Sequence, residues 1–89
     1  MVEQDIVVSN KLGLHARASA KLVQLTSGFQ SNAFLLCRGR EINAKSIMGL
    51  MLLAAGKGTL IRVRMDGSDE AAAMAAVIDL FERKFDEGE

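Results

Sequence analysis

The spacing of the apolar residues changes repeatedly along this chain of 89 residues, and this alternation restricts the folds that the chain can adopt. Four segments have the composition and spacing of β-strands: residues 2 to 8, 33 to 37, 40 to 44 and 60 to 65. Three segments have apolar residues at the spacing of helices: residues 16 to 27, about 47 to 54, and 69 to 85. The predicted order of elements is therefore βαββαβα.

Turn and capping residues support these boundaries. Gly28 follows the first helical segment at the position where a helix commonly ends. Arg38 and Gly39 form a short connection between two strands, which favours a hairpin. Ser46 directly precedes the apolar run that starts at Ile47, so it is predicted to cap the second helix.

The strands have one solvent-exposed face, and the three helices carry apolar stripes. This combination predicts a two-layer α+β sandwich. The helices would cover one side of a mainly antiparallel sheet. The length suits one small domain that spans residues 1–89. Periodicity alone does not separate this arrangement from a ferredoxin-like fold with an added helix.

The composition is that of an ordinary globular protein, with 49% apolar and 25% charged residues. No secretory signal is recognisable, and the longest apolar stretch has about half the length that a bilayer span requires. We therefore expect a cytoplasmic protein without membrane insertion. Cys37 is the single cysteine and is expected to be a buried apolar residue, with a reactive thiol as the alternative. We expect no metal and no cofactor.

His15, the single histidine, lies just before the first helix. The first amides of a helix lack internal partners and carry partial positive charge, which favours anions and disfavours an imidazolium ring. A neutral ring keeps one nitrogen free as a nucleophile, and the amides of Ala16, Arg17 and Ala18 would bind the oxygens of an acquired phosphoryl group. The Arg17 guanidinium would add charge-assisted bonds. Because no acid or second base is near in sequence, spacing alone leaves a plain helix-capping histidine as the alternative.

Two segments, GLHARASAKLVQL and INAKSIMGLMLLAAGKGT, closely resemble the HPr family in sequence, separation and position within a chain of this length. These are the histidine-containing phosphocarrier proteins of the bacterial phosphoenolpyruvate-dependent phosphotransferase system. The resemblance implies an open-faced β-sandwich, in which four antiparallel strands carry three helices on one side. It implies a carrier rather than a self-sufficient enzyme: a phosphorylated first enzyme transfers its phosphoryl group to Nδ1 of His15, beside Arg17. A sugar-specific or nitrogen-branch acceptor then takes the group, and we expect the carrier to be a monomer.

The motif departs from many HPr proteins at Ala18, where those proteins have proline. Alanine is a good helix former and restores one free N–H at the end of the helix that would hold the phosphate. We expect the start of the helix and the phosphorylation of His15 to survive this change. The rigidity of the His15 loop and the rate of transfer are the properties that it puts in question.

The second helix is apolar on more than one face, which predicts an exposed apolar patch; a short helix buried in the core is the alternative. The resemblance implies that Ile47, Met48 and Met51 dock donor and acceptor enzymes, and Lys45 would add electrostatic steering. It also implies that Ser46 is a regulatory site for an ATP-dependent HPr kinase/phosphorylase. A phosphate there would place negative charge in the docking patch and weaken exchange with the first enzyme.

Two other functions are alternatives to a carrier. The first is an HPr-like regulator whose phosphorylation state is a signal to kinases, transporters or transcription factors. The second is an RNA-binding α+β module, which the sequence disfavours because it has no Trp or Tyr and a net charge of zero.

Overall fold

The computed structural model describes residues 1–87, which form a sheet of four antiparallel strands with three α-helices. The strands are β1 (Val2–Val7), β2 (Asn32–Cys37), β3 (Arg40–Asn43) and β4 (Leu60–Asp66), and the helices are α1 (Ala16–Thr26), α2 (Ile47–Leu53) and α3 (Glu70–Glu82). The strand order across the sheet is β1-β4-β2-β3. The predicted α+β sandwich and its order of elements are confirmed.

The core lies between one face of the sheet and the helices. In β4, Ile61, Val63 and Met65 alternate with exposed or half-buried residues and are themselves buried. Leu22 of α1 and Val77 of α3 are fully buried in the same cluster of apolar side chains. Because the apolar stripes of the helices need cover, they pack on the apolar face of the sheet.

The opposite face of the sheet carries ion pairs between its strands. Arg62 Nε lies 2.8 Å from Asp5 Oδ1, and Arg64 Nε lies 2.8 Å from Glu3 Oε2. The Arg64 guanidinium also reaches Glu41 on β3, at 3.0 Å. These pairs explain why charged residues alternate with apolar ones in β1 and β4, since successive side chains of a strand point to opposite faces.

The hairpin between β2 and β3 is closed by the two predicted residues. Arg38 and Gly39 have φ angles of 51° and 75°, which are the left-handed values that a tight two-residue hairpin requires at both positions. Cys37, at the end of β2, is buried, as expected for a small apolar residue.

The C-terminal segment differs from the prediction. Apolar spacing predicts that the last helix reaches Phe85, but α3 ends at Glu82, and a short turn follows at Lys84–Asp86. The three residues of this turn have φ angles of 53°, 55° and 61°. Phe85 is nevertheless fully buried, and its ring packs edge-on against Phe81 with centroids 4.8 Å apart. The apolar pattern continues because this turn, although left-handed, still returns the Phe85 side chain to the core.

The start of α3 is joined to the loop between α1 and β2. The carboxylate of Asp69 accepts hydrogen bonds from the backbone N–H groups of Gln30 and Ser31, at 2.8 and 2.9 Å, and also from the Ser31 hydroxyl. The Ser31 hydroxyl bond and the Gln30 amide bond lower the pKa of Asp69 below its ordinary value. The Asp69 carboxylate therefore fixes the start of α3 to the loop that follows α1.

Candidate functional site

His15 is the last residue before α1 and has an extended backbone, with φ −75° and ψ −178°. Its carbonyl oxygen accepts the first hydrogen bond of the helix, from Ser19 N at 2.8 Å. His15 therefore occupies the N-cap position, but its side chain makes no capping hydrogen bond. The ring is 27% exposed and is therefore partly accessible from outside the molecule.

The backbone before His15 is fixed from three sides. Leu14 N donates to the carbonyl of Ala55, in the loop between α2 and β4, at 2.9 Å. The Leu14 carbonyl accepts from the hydroxyl of Ser19 at 3.1 Å. Gly13 N closes a turn by donating to Asn10 O at 3.1 Å, and Gly13 itself has a left-handed φ of 64°. The position of the imidazole is therefore set by the fold and not by the helix alone.

Glu87 is the acid that the sequence does not place near His15. Its Oε2 lies 2.5 Å from His15 Nε2, and its Oε1 accepts a hydrogen bond from Asn10 Nδ2 at 3.0 Å. Burial opposes ionisation of Glu87, but the hydrogen bonds from Asn10 and His15 outweigh it and lower the pKa of this carboxyl. His15 and Glu87 are 72 positions apart, and no local pattern in the sequence connects them.

The free amides predicted at the start of α1 are present. Among residues 1–87, no hydrogen-bond acceptor is found for the backbone N–H groups of Ala16, Arg17 and Ala18. Ala16 and Arg17 are exposed, whereas Ala18 is fully buried. The Arg17 guanidinium likewise has no hydrogen-bond or ion-pair partner within the described part of the chain. Two free amides, which belong to exposed residues, and an unengaged cation thus lie next to the ring.

Two shallow depressions flank the ring of His15. One has a volume of about 310 Å³ and is lined by Arg17, Glu87, Leu12 and Lys11. The other, of about 280 Å³, lies between His15 and the end of α2 and includes Met51. The ring is thus approachable from a charged side and from an apolar side.

The exposed face of α2 contains the predicted docking residues. Met48 is 70% exposed and Met51 is 44% exposed, and Ile47 is also exposed. Only Leu50 and Leu53 of this helix are buried, so the expectation that part of the helix is exposed is confirmed. Two exposed residues that the prediction did not include extend this surface: Leu12 and Leu52.

Lys45 and Ser46 precede α2. The ammonium group of Lys45 donates to the carbonyl of Phe29 at 3.0 Å, beyond the end of α1 that is opposite His15. Ser46 Oγ accepts a hydrogen bond from Gly49 N at 3.1 Å, so its predicted role as N-cap is confirmed. Lys45 is therefore anchored away from the ring, whereas Ser46 lies at the start of the exposed apolar surface.

Taken together, the partly exposed imidazole, the carboxylate on its Nε2 and the unengaged donors beside it suit a protein that holds an anionic group on a ring nitrogen.

Comparison with known proteins identifies the family. A family model described as the PTS HPr component phosphorylation site matches residues 2–83. The phosphocarrier protein HPr of Xylella fastidiosa strain 9a5c is 64% identical over 87 residues, which cover 98% of each chain. The crystal structure of HPr from Thermoanaerobacter tengcongensis superposes with a TM-score of 0.95 at 42% identity and covers 98% of each chain. The chain therefore belongs to the HPr family of the bacterial phosphotransferase system.

The solved relatives bear on the choice between two folds and on the oligomeric state. Because the solved HPr structure matches almost the entire chain, the fold is the HPr sandwich and not a ferredoxin-like fold with an added helix. A structure of an HPr dimer from Thermoanaerobacter tengcongensis also matches, with a TM-score of 0.77 and 42% identity over 96% of this chain and 98% of that chain.

Residues 1–87 contain no helix that is long and apolar enough to cross a membrane. Within the same residues, no group of His, Cys, Asp and Glu side chains is arranged to hold a metal ion.

Proposed function

We propose that the protein carries a phosphoryl group on Nδ1 of His15, which it receives from the first enzyme of the phosphotransferase system and passes to an acceptor protein. The observation that carries this proposal is the contact of 2.5 Å between His15 Nε2 and the Glu87 carboxylate. A carboxylate accepts only from a protonated nitrogen, so in the neutral ring the proton is held on Nε2. The lone pair of Nδ1 is then free to act as the nucleophile.

Phosphoryl transfer through this site requires no further proton acceptor. The Nδ1 lone pair attacks phosphorus, a bond between nitrogen and phosphorus forms, and the bond from phosphorus to the donor enzyme breaks. The Nε2 proton stays on the ring, and positive charge on the ring during the transfer is stabilised by the adjacent Glu87 carboxylate. The reverse sequence releases the phosphoryl group to the acceptor.

The phosphoryl oxygens require donors that are in place before transfer. The amides of Ala16 and Arg17 are exposed at the N-terminal end of α1, where the helix dipole also favours negative charge. The unengaged Arg17 guanidinium, which lines the same depression as His15, supplies charge-assisted bonds. Ala18 contributes its amide only if an oxygen reaches below the surface, because this residue is fully buried.

Docking of both partners is assigned to the exposed apolar surface beside His15. Ile47, Met48 and Met51 supply flexible apolar contacts that suit more than one enzyme. Lys45 steers partners through its charge from the edge of this surface, since it is anchored on the side away from the ring. The acceptor is a sugar-specific or nitrogen-branch protein, and the carrier acts in the cytoplasm as a monomer.

Ser46 is assigned as the regulatory site for an ATP-dependent HPr kinase/phosphorylase. Its hydroxyl lies at the start of α2 and next to the exposed Ile47 and Met48. A phosphate on this oxygen would favour the first turn of the helix and place negative charge within the docking surface. Exchange with the first enzyme would therefore be slower in the phosphorylated protein.

The test is incubation with phosphoenolpyruvate and a cognate first enzyme. The wild type is expected to acquire one acid-labile phosphoryl group, and His15→Ala is expected to acquire none, while Ser46→Ala is the control that retains labelling at the histidine. A folded wild-type protein that acquires no label would contradict the proposal. RNA binding that weakens with salt would instead favour the alternative of a nucleic-acid module.

A further inference from the structure

Asn10 is a buried polar residue that connects two segments of the site. It lies in the loop between β1 and α1 and is only 1% exposed. Its side-chain Nδ2 donates two hydrogen bonds, one to the carbonyl of Gly13 at 2.8 Å and one to Glu87 Oε1 at 3.0 Å. One amide group therefore holds both the turn that precedes His15 and the carboxylate that contacts its ring.

The orientation of the Asn10 amide is fixed by these partners. Both are oxygen atoms that only accept, so the nitrogen and not the oxygen must face them. The other atom, Oδ1, is buried and has no hydrogen-bond partner in the described part of the chain. The side chain of Asn10 therefore acts on its surroundings only through the two bonds that its nitrogen donates.

The two oxygens of the Glu87 carboxylate are shared between Asn10 and His15. Oε1 accepts from Asn10, and Oε2 lies 2.5 Å from His15 Nε2. A hydrogen bond to one oxygen restricts the rotation of a carboxylate, and this restricts the direction in which the second oxygen accepts. The side chain of Glu87 is mostly buried, so water does not readily take the place of Asn10.

We propose that Asn10 is a positioning residue of the phosphoryl site: by holding Oε1 of Glu87, it keeps Oε2 on His15 and the ring proton on Nε2. This inference rests on the proposed function of His15, because the free Nδ1 that it secures is the proposed nucleophile. The hydrogen bonds of Asn10 go to Gly13 and Glu87 and not to the ring, so its effect on the ring proton is transmitted through Glu87.

The experiment is a double-mutant cycle with Asn10→Asp and Glu87→Ala, and it is read first on the unphosphorylated protein. Asn10→Asp has nearly the same shape but places an oxygen against both Gly13 O and Glu87 Oε1. The ¹⁵N chemical shifts of the His15 ring report which nitrogen carries the proton. We expect Asn10→Asp to raise the fraction protonated on Nδ1, and to have no such effect when Glu87 is already alanine.

The second readout is the rate of phosphorylation by the first enzyme. Misplacement of the ring is expected to lower this rate by about 10- to 100-fold in Asn10→Asp. In the Glu87→Ala background the same substitution is expected to cause no further loss. An Asn10→Asp protein that is folded but has an unchanged ring tautomer, or has the same change in both backgrounds, would overturn the proposal.

Two further measurements keep the test decisive if Asn10→Asp does not fold. Asn10→Ala removes both donated bonds without adding charge and is expected to change the ring tautomer in the same direction. In the protein with an intact Asn10, Glu87→Ala is expected to move the proton resonances of the Asn10 side-chain amide and to speed their exchange with solvent. Unchanged amide resonances would refute the contact itself. Because the tautomer is read without phosphorylation, failure of the proposed function is distinguishable from failure of this inference.

Discussion

Replacement of Gly13 by alanine tests how the loop before His15 is held. Gly13 has a φ of +64°, and a Cβ atom placed on it would overlap the carbonyl oxygen of Ala55 and lie 2.7 Å from Gly56 Cα. Both neighbours are backbone atoms, which cannot turn aside as a flexible side chain can. The loop between α2 and β4 must therefore move away from the His15 loop in this variant.

The magnitude follows from two contributions. A left-handed backbone costs alanine about 1 to 2 kcal/mol relative to glycine, of which the stiffer unfolded chain offsets about half. The forced displacement adds about 1 to 3 kcal/mol, as overpacking does elsewhere. The expected loss in the free energy of unfolding is about 3 kcal/mol, which corresponds to a thermal midpoint lower by about 12 to 24 °C.

Gly39→Ala is the matched control for Gly13→Ala. Gly39 has a similar φ of +75°, but a Cβ atom there has no neighbour within 4 Å. The free energy of unfolding of Gly39→Ala is expected to fall by only about 1 kcal/mol, which is the backbone contribution alone. Thermal and urea unfolding of both variants measure the difference, and phosphorylation of His15 should slow only in Gly13→Ala. Equal losses in the two variants would refute the argument that contact with Ala55 holds the loop.

Three further predictions concern other positions. Ala18→Pro removes no hydrogen bond and is expected to leave labelling of His15 intact. Ser46→Ala should lower the unfolding free energy by about 1 kcal/mol, because the acceptor for Gly49 N is lost, whereas Ser46→Gly should lower it by only a few tenths. Asp69→Asn should lower the thermal midpoint at neutral pH and weaken the dependence of that midpoint on acid pH. The pKa of Asp69 is lowered in the folded state, so ionised Asp69 stabilises the fold above about pH 4. This stabilisation is lost as the pH falls through the pKa of Asp69 in the folded state.

Each of these predictions has a result that would contradict it. A folded Ala18→Pro protein that accepts no phosphoryl group would show that the amide or the flexibility of residue 18 is required. A Ser46→Ala protein as stable as the wild type would mean that the cap contributes little. For Asp69→Asn, calorimetry between about pH 2 and pH 5 that matches the wild type would show that the carboxylate does not stabilise the folded state.

The features predicted correctly from the sequence depend on neighbouring residues. The alternation in β4, the hairpin connection at Arg38 and Gly39, and the cap at Ser46 each involve only a few consecutive positions. Hydrophobic spacing and capping preferences are local properties, so a single sequence contains them. The exposure of α2 also follows, because too many of its residues are apolar for one small core to bury.

The features missed by the sequence analysis depend on contacts between distant segments. Glu87 reaches His15 only because α3 packs on the sheet and the chain then turns back, and neither step has a local signal. The anchoring of Lys45 on Phe29 O depends on where α1 ends. The role of His15 as a phosphoryl acceptor could thus be proposed from the sequence, whereas its carboxylate partner is visible only in the three-dimensional structure.

The left-handed turn at Lys84–Asp86 has a consequence for how this protein tolerates change. A left-handed conformation costs a non-glycine residue about 1 to 2 kcal/mol, so three in succession take up a sizeable part of the stability of a small domain. Glycine at position 84 or 86 would relieve this strain, and such variants should be easy to obtain in a selection for thermal stability alone. They would also loosen the segment that brings Glu87 to the ring, so a selection for transfer should reject them. This turn is thus a place where resistance to heat and speed of transfer favour different residues.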